Sequence, residues 1–120
     1  MPSVLVVDDS SFMRTTLSNM FAKWGFEVVG KASNGQEAID LYKELQPDLV
    51  TMDVTMPILS GLEAAKEILS EFPEAKIIMV TALRQQRLII EALELGVKDF
   101  ITKPFEPEQL KDIVDKVMST

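Results

Sequence analysis

Residues 4–9 have the sequence VLVVDD, in which four apolar residues stop abruptly at two carboxylates. Three later apolar runs also stop at a reactive side chain: LVTM before Asp53, IIMV before Thr81 and FIT before Lys103. Short apolar runs rich in β-branched residues predict buried strands. Open parallel sheets bind ligands beyond the carboxyl ends of their strands. If these strands are neighbours, three carboxylates, one hydroxyl and one ammonium meet at one edge of the sheet.

Amphipathic segments separate these runs and carry helix signals. The first has an apolar face at helical spacing, formed by Met13, Leu17, Met20, Phe21 and Trp24. Asn34 and Ser60 each precede a glutamate by three residues, which is the pattern of a capping box. Leu45 is expected on the inner face of the second helix, Pro107 in the first turn of the last helix, and a further strand around Val28–Gly30. The strict alternation predicts five strands and five helices in an α/β fold with a parallel sheet.

The composition narrows the function before any motif is considered. The chain has 120 residues, which fits one domain spanning residues 1–120. Its formal charge of −7 argues against nucleic-acid binding, which requires a cationic face. Cysteine and histidine are absent, so no thiolate metal site or phosphohistidine can form, and a reducing cytoplasm is the expected location. No apolar run approaches the roughly 20 residues of a membrane span, and no signal peptide is found.

The predicted edge suits Mg²⁺ and a phosphoryl group. Mg²⁺ prefers oxygen ligands and keeps several waters, so Asp9 and Asp53 are the natural carboxylate pair, with Asp8 acting through a water. A carboxylate can form an aspartyl-phosphate, whose transferred oxygens need charge compensation that Lys103 can supply. The Thr81 hydroxyl can bond one of those oxygens. Taken alone, Asp9 also fits a helix cap, Thr81 a strand end and Lys103 a solvated lysine, so the prediction depends on their coincidence.

Four motifs make the chain resemble the receiver domain of two-component response regulators. They are Asp8-Asp9, DVTMPILSG at residues 53–61, VTA at 80–82 and KPF at 103–105. The resemblance covers essentially the whole chain, and the motifs are specific as a set although each is weak singly. It implies a flavodoxin-like, doubly wound (βα)5 fold whose five parallel strands have the order 2-1-3-4-5. That order places Asp9 beside Asp53.

The resemblance also implies a role for each side chain at the edge. Asp53 would be the phosphoacceptor, and Thr81 and Lys103 would contact the phosphoryl group. Mg²⁺ would be bound directly by Asp9, Asp53 and the backbone carbonyl of Thr55, and by Asp8 through a water. The Lys103–Pro104 peptide bond is expected to be cis, as X–Pro bonds in tight turns often are.

A switch from the site to a partner surface is implied as well. Phe100 would be the aromatic switch residue that turns inward when Thr81 moves. Helix 4, expected from about Gln85 to Leu95, has more apolar residues than one core stripe needs, so at least one of them should be exposed. The face formed by helix 4, strand 5 and helix 5 is therefore expected to bind a downstream target.

The function implied is a phosphorylation-activated binding switch that receives its phosphoryl group from a histidine kinase. The chain is expected to act as a monomer and to catalyse only its own phosphorylation and dephosphorylation. Residues 7–14 resemble chemotaxis regulators that bind the flagellar motor switch, and also the receiver of chemotaxis methylesterases. A phosphorelay intermediate, or a receiver from a larger regulator such as a methylesterase, stays open. A Mg²⁺-dependent aspartyl-phosphate phosphatase is a distant alternative, because the Asp-x-Asp pattern of such enzymes is missing.

Overall fold

A five-stranded parallel sheet forms the centre of the molecule. A computed structural model describes residues 1–82 and 86–120. The strands are β1 (Ser3–Val7), β2 (Glu27–Ala32), β3 (Leu49–Met52), β4 (Ile77–Thr81) and β5 (Asp99–Thr102). Their spatial order is β2-β1-β3-β4-β5, with every neighbouring pair parallel. The flavodoxin-like order 2-1-3-4-5 expected from the sequence is thereby confirmed.

Within residues 1–82 and 86–120, five helices alternate with the strands. They are α1 (Ser11–Lys23), α2 (Gly35–Leu45), α3 (Gly61–Glu71), α4 (Gln86–Leu95) and α5 (Pro107–Met118). Ser10, Asn34 and Ser60 are the N-caps of the first three, and each side chain accepts a hydrogen bond from the backbone N–H three residues later. The expected first residue of the fourth helix, Gln85, lies outside the described residues.

The sheet separates two apolar cores because side chains alternate between its faces. Along β1, Leu5 and Val7 pack into the core shared with α2, α3 and α4. Val4 and Val6 pack into the core shared with α1 and α5. Strands buried on both faces offer no position for a charged side chain until the apolar run ends, which confines such side chains to the sheet edge.

One local expectation was wrong and another was met in part. Leu45 faces the sheet as expected, since its Cδ1 would lie 3.1 Å from a Cβ at Gly30 of β2, but it is the last residue of α2 and is 37% exposed. The capping box at Asn34 is displaced by one residue. The Glu37 carboxylate accepts hydrogen bonds from the backbone N and the hydroxyl of Ser33, at 2.7 and 2.9 Å, and not from the cap residue itself.

The exposed side of α4 agrees with expectation. Ile90 is 48% exposed and Leu93 is 42% exposed, whereas Ala92 is buried against the core. The prediction that at least one apolar residue of this helix faces solvent is therefore confirmed. None of the helices within residues 1–82 and 86–120 has the length and hydrophobicity needed to cross a bilayer.

Candidate phosphoryl and metal site

Three carboxylates converge at the carboxyl ends of the two central strands. One carboxylate oxygen from each of Asp8, Asp9 and Asp53 lies within 4.8 Å of the other two. The strand register explains the convergence, since Val7 pairs with Met52 and the Asp53 backbone N donates to the Val7 carbonyl at 3.0 Å. The sequence prediction that these strand ends meet is therefore correct.

Asp8 is the most firmly held of the three. It is fully buried, and four of its polar atoms have partners. Its backbone N donates to the Ala32 carbonyl at 3.0 Å, and its own carbonyl accepts from Arg14 Nη1 at 2.6 Å. Oδ1 accepts from the Ser10 backbone N at 2.9 Å, and Oδ2 accepts from Lys103 Nζ at 2.7 Å. Both carboxylate oxygens are thus occupied by donors within the protein.

Asp53 is held more loosely, although it is only 8% exposed. The only side-chain contact that the described residues give its carboxylate is Lys103 Nζ, 3.5 Å from Oδ2. Burial raises the pKa of this carboxyl most strongly, and the negative charges of Asp8 and Asp9 raise it further, while Lys103 lowers it. The net direction is upward, so desolvation and like-charge repulsion outweigh the attraction of the ammonium.

Asp9 differs from both neighbours because it is exposed. Its side chain makes no hydrogen bond or ion pair with the residues described here. It follows β1 by two positions and precedes Ser10, the residue that caps α1. The plainer interpretation of Asp9 as the cap is therefore wrong, because Ser10 supplies that hydrogen bond.

Lys103 follows the edge strand β5, which is separated from β3 by β4, and its side chain extends to the cluster. Its backbone N donates to the Thr81 carbonyl at 2.8 Å, and its peptide bond to Pro104 is cis, as predicted. Its side chain is 19% exposed and lies between Asp8 and Asp53, closer to the former. The interpretation of Lys103 as a solvated surface lysine is therefore wrong.

The remaining predicted residues differ in their burial. Thr81 is the last residue of β4 and is 1% exposed, whereas Thr55 is exposed. Phe100 lies on β5 beside β4, where it pairs with Met79. It is half-buried and packs against the core shared with α2, α3 and α4. Thr81 thus ends a strand at the predicted edge, while Phe100 lies inside β5, two residues before its end.

The loop between β3 and α3 fits only because two glycines have no side chain. A Cβ at Gly61 would collide with the Asp53 carbonyl oxygen, and the Gly61 N donates to the Val54 carbonyl at 2.7 Å. A Cβ at Gly35, at the start of α2, would collide with the Leu59 carbonyl oxygen in the same way. Gly61 belongs to the 53–61 motif, but no local signal in the sequence marks the approach of Gly35.

The donor set fits a hard divalent cation. All three clustered side chains offer carboxylate oxygens, the ligands that Mg²⁺ prefers. Three carboxylates repel one another around the Lys103 ammonium. Burial raises the pKa of Asp53 most strongly, and the charges of Asp8 and Asp9 act in the same direction. A dication among them would remove that repulsion, so the residues present suit Mg²⁺ both in chemistry and in charge.

The comparison with known families decides the class of protein. Residues 4–115 match the family model of the response regulator receiver domain. The chain belongs to this family. Receiver domains take phosphoryl groups from histidine kinases, and those similar to CheY act as phosphoaccepting switches.

Two curated relatives match nearly the whole receiver. The chemotaxis protein CheY of Thermotoga maritima is 52% identical over 114 residues, which cover 95% of each chain. The protein CcdB of Bacillus subtilis is 51% identical over 118 residues, which cover 98% of each chain. The receiver is thus similar to a chemotaxis regulator and, to nearly the same degree, to CcdB.

Two solved structures agree with this fold. The CheX–CheY–BeF3–Mg²⁺ complex from Borrelia burgdorferi matches with a TM-score of 0.93 and 35% identity, covering 96% of this chain and 87% of that chain. The response regulator domain of Thermotoga maritima CheB matches with a TM-score of 0.89 and 41% identity, covering 100% of this chain and 98% of that one.

Proposed function

We propose that this receiver accepts a phosphoryl group on Asp53 from a phosphohistidine of a partner kinase and then binds a downstream target. One observation carries the proposal. Three carboxylates from the ends of β1 and β3 lie within 4.8 Å of one another, and the Lys103 ammonium lies between Asp8 and Asp53. This arrangement combines a nucleophile, an oxygen-rich cation site and a fixed positive charge.

The contacts favour Asp53 over its neighbours as the nucleophile. Both carboxylate oxygens of Asp8 already accept hydrogen bonds, and Asp8 is fully buried. Asp9 is exposed and has no contact with Lys103 in the described part of the chain. Asp53 has an ammonium 3.5 Å from one oxygen and is slightly accessible to solvent. It therefore combines a free lone pair with a nearby charge for the incoming phosphoryl group.

The transfer exchanges one bond to phosphorus for another. An Asp53 oxygen forms a bond to phosphorus while the bond from phosphorus to the imidazole nitrogen of the donor breaks. The Lys103 ammonium moves from Asp8 toward the new phosphoryl oxygens, and the Thr81 hydroxyl bonds one of them. No general base is needed, because the attacking group is the ionised carboxylate, which carries no proton to remove.

A bound Mg²⁺ would be held by Asp9, Asp53 and the Thr55 carbonyl, with Asp8 acting through a water, and would neutralise charge on the transferred oxygens. The protein residues do the rest of the work. Asp8 anchors Lys103 at 2.7 Å before transfer. The buried wall around Asp53 excludes most solvent, so charges inside the site interact strongly. The chain then catalyses only its own phosphorylation and dephosphorylation.

The output is proposed to lie on the face formed by α4, β5 and α5. Ile90 and Leu93 are exposed there, and Phe100 is half-buried on the adjoining strand. Movement of Thr81 toward a phosphoryl group would let Phe100 turn inward. This would shift the population of the protein toward the conformation in which the face binds its target. Its similarity to CheY favours a chemotaxis target at the flagellar motor switch.

This output is tested by capture of targets on the immobilised protein with and without beryllofluoride and Mg²⁺. We expect Ile90→Ala and Phe100→Ala to weaken the beryllofluoride-dependent capture while phosphorylation of Asp53 is retained. Capture that is equal for both variants and the wild type would move the output face elsewhere.

A second candidate is the receiver of a larger regulator or a phosphorelay intermediate. The observation in its favour is the 41% identity to the CheB response regulator domain across 98% of that chain. A relay intermediate would pass its phosphoryl group to a histidine on another protein. The phosphorylated receiver is mixed with a histidine phosphotransfer protein, and the masses of both proteins are measured. Transfer of the phosphoryl group to the second protein would identify a relay intermediate, and no transfer would identify a terminal switch.

Labelling with a small phosphoryl donor tests the proposed chemistry. Phosphoramidate with Mg²⁺ should add one phosphoryl group to the wild type, measured by intact mass. Asp53→Asn should add little or none, while Asp112→Asn, which removes an exposed carboxylate on α5, should label normally. Full labelling of Asp53→Asn would reject Asp53 as the acceptor, and no labelling of the wild type would reject the proposed function.

A further inference from the structure

Arg14 makes a contact with the acidic site that the proposed chemistry leaves without a purpose. This residue lies one turn into α1 and its side chain is half-buried. Its Nη1 donates to the Asp8 carbonyl oxygen at 2.6 Å, so the guanidinium contacts the backbone beside the carboxylates. We infer that Arg14 is a positioning residue that sets the direction of Asp9 and thereby the affinity of the site for Mg²⁺. The inference rests on the proposed function, since it assumes that the cation binds here.

The geometry of the peptide group transmits this contact to Asp9. The Asp8 carbonyl and the Asp9 backbone N belong to one planar peptide unit with a high barrier to rotation. A hydrogen bond that fixes the carbonyl oxygen therefore also fixes the Asp9 N and Cα. Because the donor is a charged guanidinium, the bond is stronger than one between neutral groups.

Asp9 depends on such an anchor more than its neighbours do. Its side chain is exposed and has no hydrogen-bond partner in residues 1–82 and 86–120, so the backbone, which fixes the Cα–Cβ direction, is the main restraint on where the carboxylate can reach. Asp8, in contrast, is held through its own side chain by Ser10 and Lys103. Removal of the Arg14 contact should therefore loosen Asp9 first.

An electrostatic role for Arg14 would have the opposite consequence for Mg²⁺. A positive charge near the site repels a dication, so its removal should tighten binding. The guanidinium is hydrogen-bonded to a backbone carbonyl and not to a carboxylate of the cluster. Its charge also faces Glu37 of α2, whose pKa is lowered mainly by hydrogen bonds from Ser33 and to a smaller degree by Arg14. The position of Arg14 thus favours a geometric role.

Titration calorimetry with Mg²⁺ alone separates the two roles. The variants are Arg14→Met, which keeps the apolar stem, Arg14→Gln, which is too short to reach the carbonyl, and Arg14→Lys, which keeps length and charge. We expect about tenfold weaker Mg²⁺ binding for Met and Gln, as for other residues that orient a metal ligand, and substantial rescue by Lys. Lys23→Met, which removes an exposed charge from the last turn of α1, is the matched control and should leave the affinity within about twofold.

The outcomes are distinguishable from failure of the proposed function. Wild-type protein that binds no Mg²⁺ would reject the cation site itself. Wild-type binding with Arg14→Met and Arg14→Gln equal or tighter would overturn the positioning role. Circular dichroism establishes that each variant is folded. If Arg14→Met does not fold, the comparison of Gln with Lys decides, since the geometric role predicts weaker binding for Gln and the electrostatic role predicts tighter binding.

Discussion

The β1–α1 turn and the β3–α3 loop both deliver a carboxylate to the same site, but they hold it in different ways. In the turn, the backbone and side-chain atoms of Asp8 form hydrogen bonds with four residues, namely Ser10, Arg14, Ala32 and Lys103. In the loop, the carboxylate of Asp53 has one described contact, at 3.5 Å, and a raised pKa. One carboxylate is an anchor with a hydrogen bond at each of its oxygens, and the other has a single longer contact and more capacity for a new bond.

The same contrast extends to the backbone of the two connections. The turn after β1 leads through the cap Ser10 directly into α1. The loop after β3 contains Ile58 at φ 70°, a conformation that is strained for a β-branched residue. The Leu59 N donates to the Pro57 carbonyl at 2.7 Å, so Ile58 is the central residue of a tight γ-turn. Strain of this kind tends to be stored near functional sites, where the surroundings over-determine it.

The largest effect on stability should come from removal of the Asp8 carboxylate. Asp8→Asn leaves Lys103 beside an amide, with its nearest compensating charge gone. Breaking a buried pair typically costs 3–5 kcal/mol, and because Lys103 is 19% exposed we expect about 3 kcal/mol in the free energy of unfolding. Urea denaturation without metal measures this loss. Asp8→Asn combined with Lys103→Met should recover part of it, and a double variant no more stable than the single one would show that the ion pair is not the cause.

Removal of the Asp53 carboxylate should change the free energy of unfolding in the opposite direction. The folded-state pKa of Asp53 is raised, so its ionised form weakens the metal-free fold and its neutral form does not. Asp53→Asn should therefore be more stable than the wild type at pH 7, by about 1 kcal/mol, while it loses phosphorylation. The advantage should shrink as the pH falls toward about 4, the ordinary pKa of an aspartate, because the wild-type carboxyl then becomes protonated.

Metal-free melting curves between pH 4 and 7 measure this difference. Asp112→Asn, at an exposed position on α5, is the control for loss of a negative charge. Mg²⁺ should raise the melting temperature of the wild type more than that of Asp53→Asn, because only ligands that bind the folded state stabilise it. An Asp53→Asn variant less stable than the wild type at pH 7 would contradict the loose, repulsive setting of this carboxylate.

The smallest effect concerns the strained loop. Among residues with a side chain, asparagine tolerates a positive φ better than a β-branched residue does. Ile58→Asn should therefore stabilise the protein by about 0.5–1 kcal/mol, since the side chain is 81% exposed and its replacement removes little packing. Ile58→Val, which keeps the branched side chain, should be neutral. Thermal denaturation that shows equal stability for both variants would remove the contrast in strain between the loop and the turn.

The sequence predicted the ends of the strands well because apolar runs and charged residues exclude each other in a doubly covered parallel sheet. It placed Asp8, Asp53, Thr81 and Lys103 at strand ends, and the structure agrees within one residue. The adjacency of β1 and β3 came from the family resemblance, because periodicity along the chain carries no information on strand order.

Other features could not be predicted because they depend on tertiary geometry. The preference of Lys103 for Asp8 over Asp53 reflects a difference of less than 1 Å between two reachable carboxylates. Arg14 appears in the sequence as one polar residue on an amphipathic helix, and its contact with the Asp8 carbonyl has no local signal. The exposure of Leu45 depends on where α2 unwinds, a boundary that sequence patterns place only within about 2–4 residues.

The most direct test of the account asks which of the clustered carboxylates takes the phosphoryl group. The protein is labelled with phosphoramidate and Mg²⁺, and borohydride then reduces the acyl phosphate, which converts the labelled aspartate into homoserine. Peptide mapping by mass spectrometry locates the converted residue. We expect homoserine at position 53 alone. Homoserine at position 8 or 9, or a labelled protein with none at 53, would contradict this expectation.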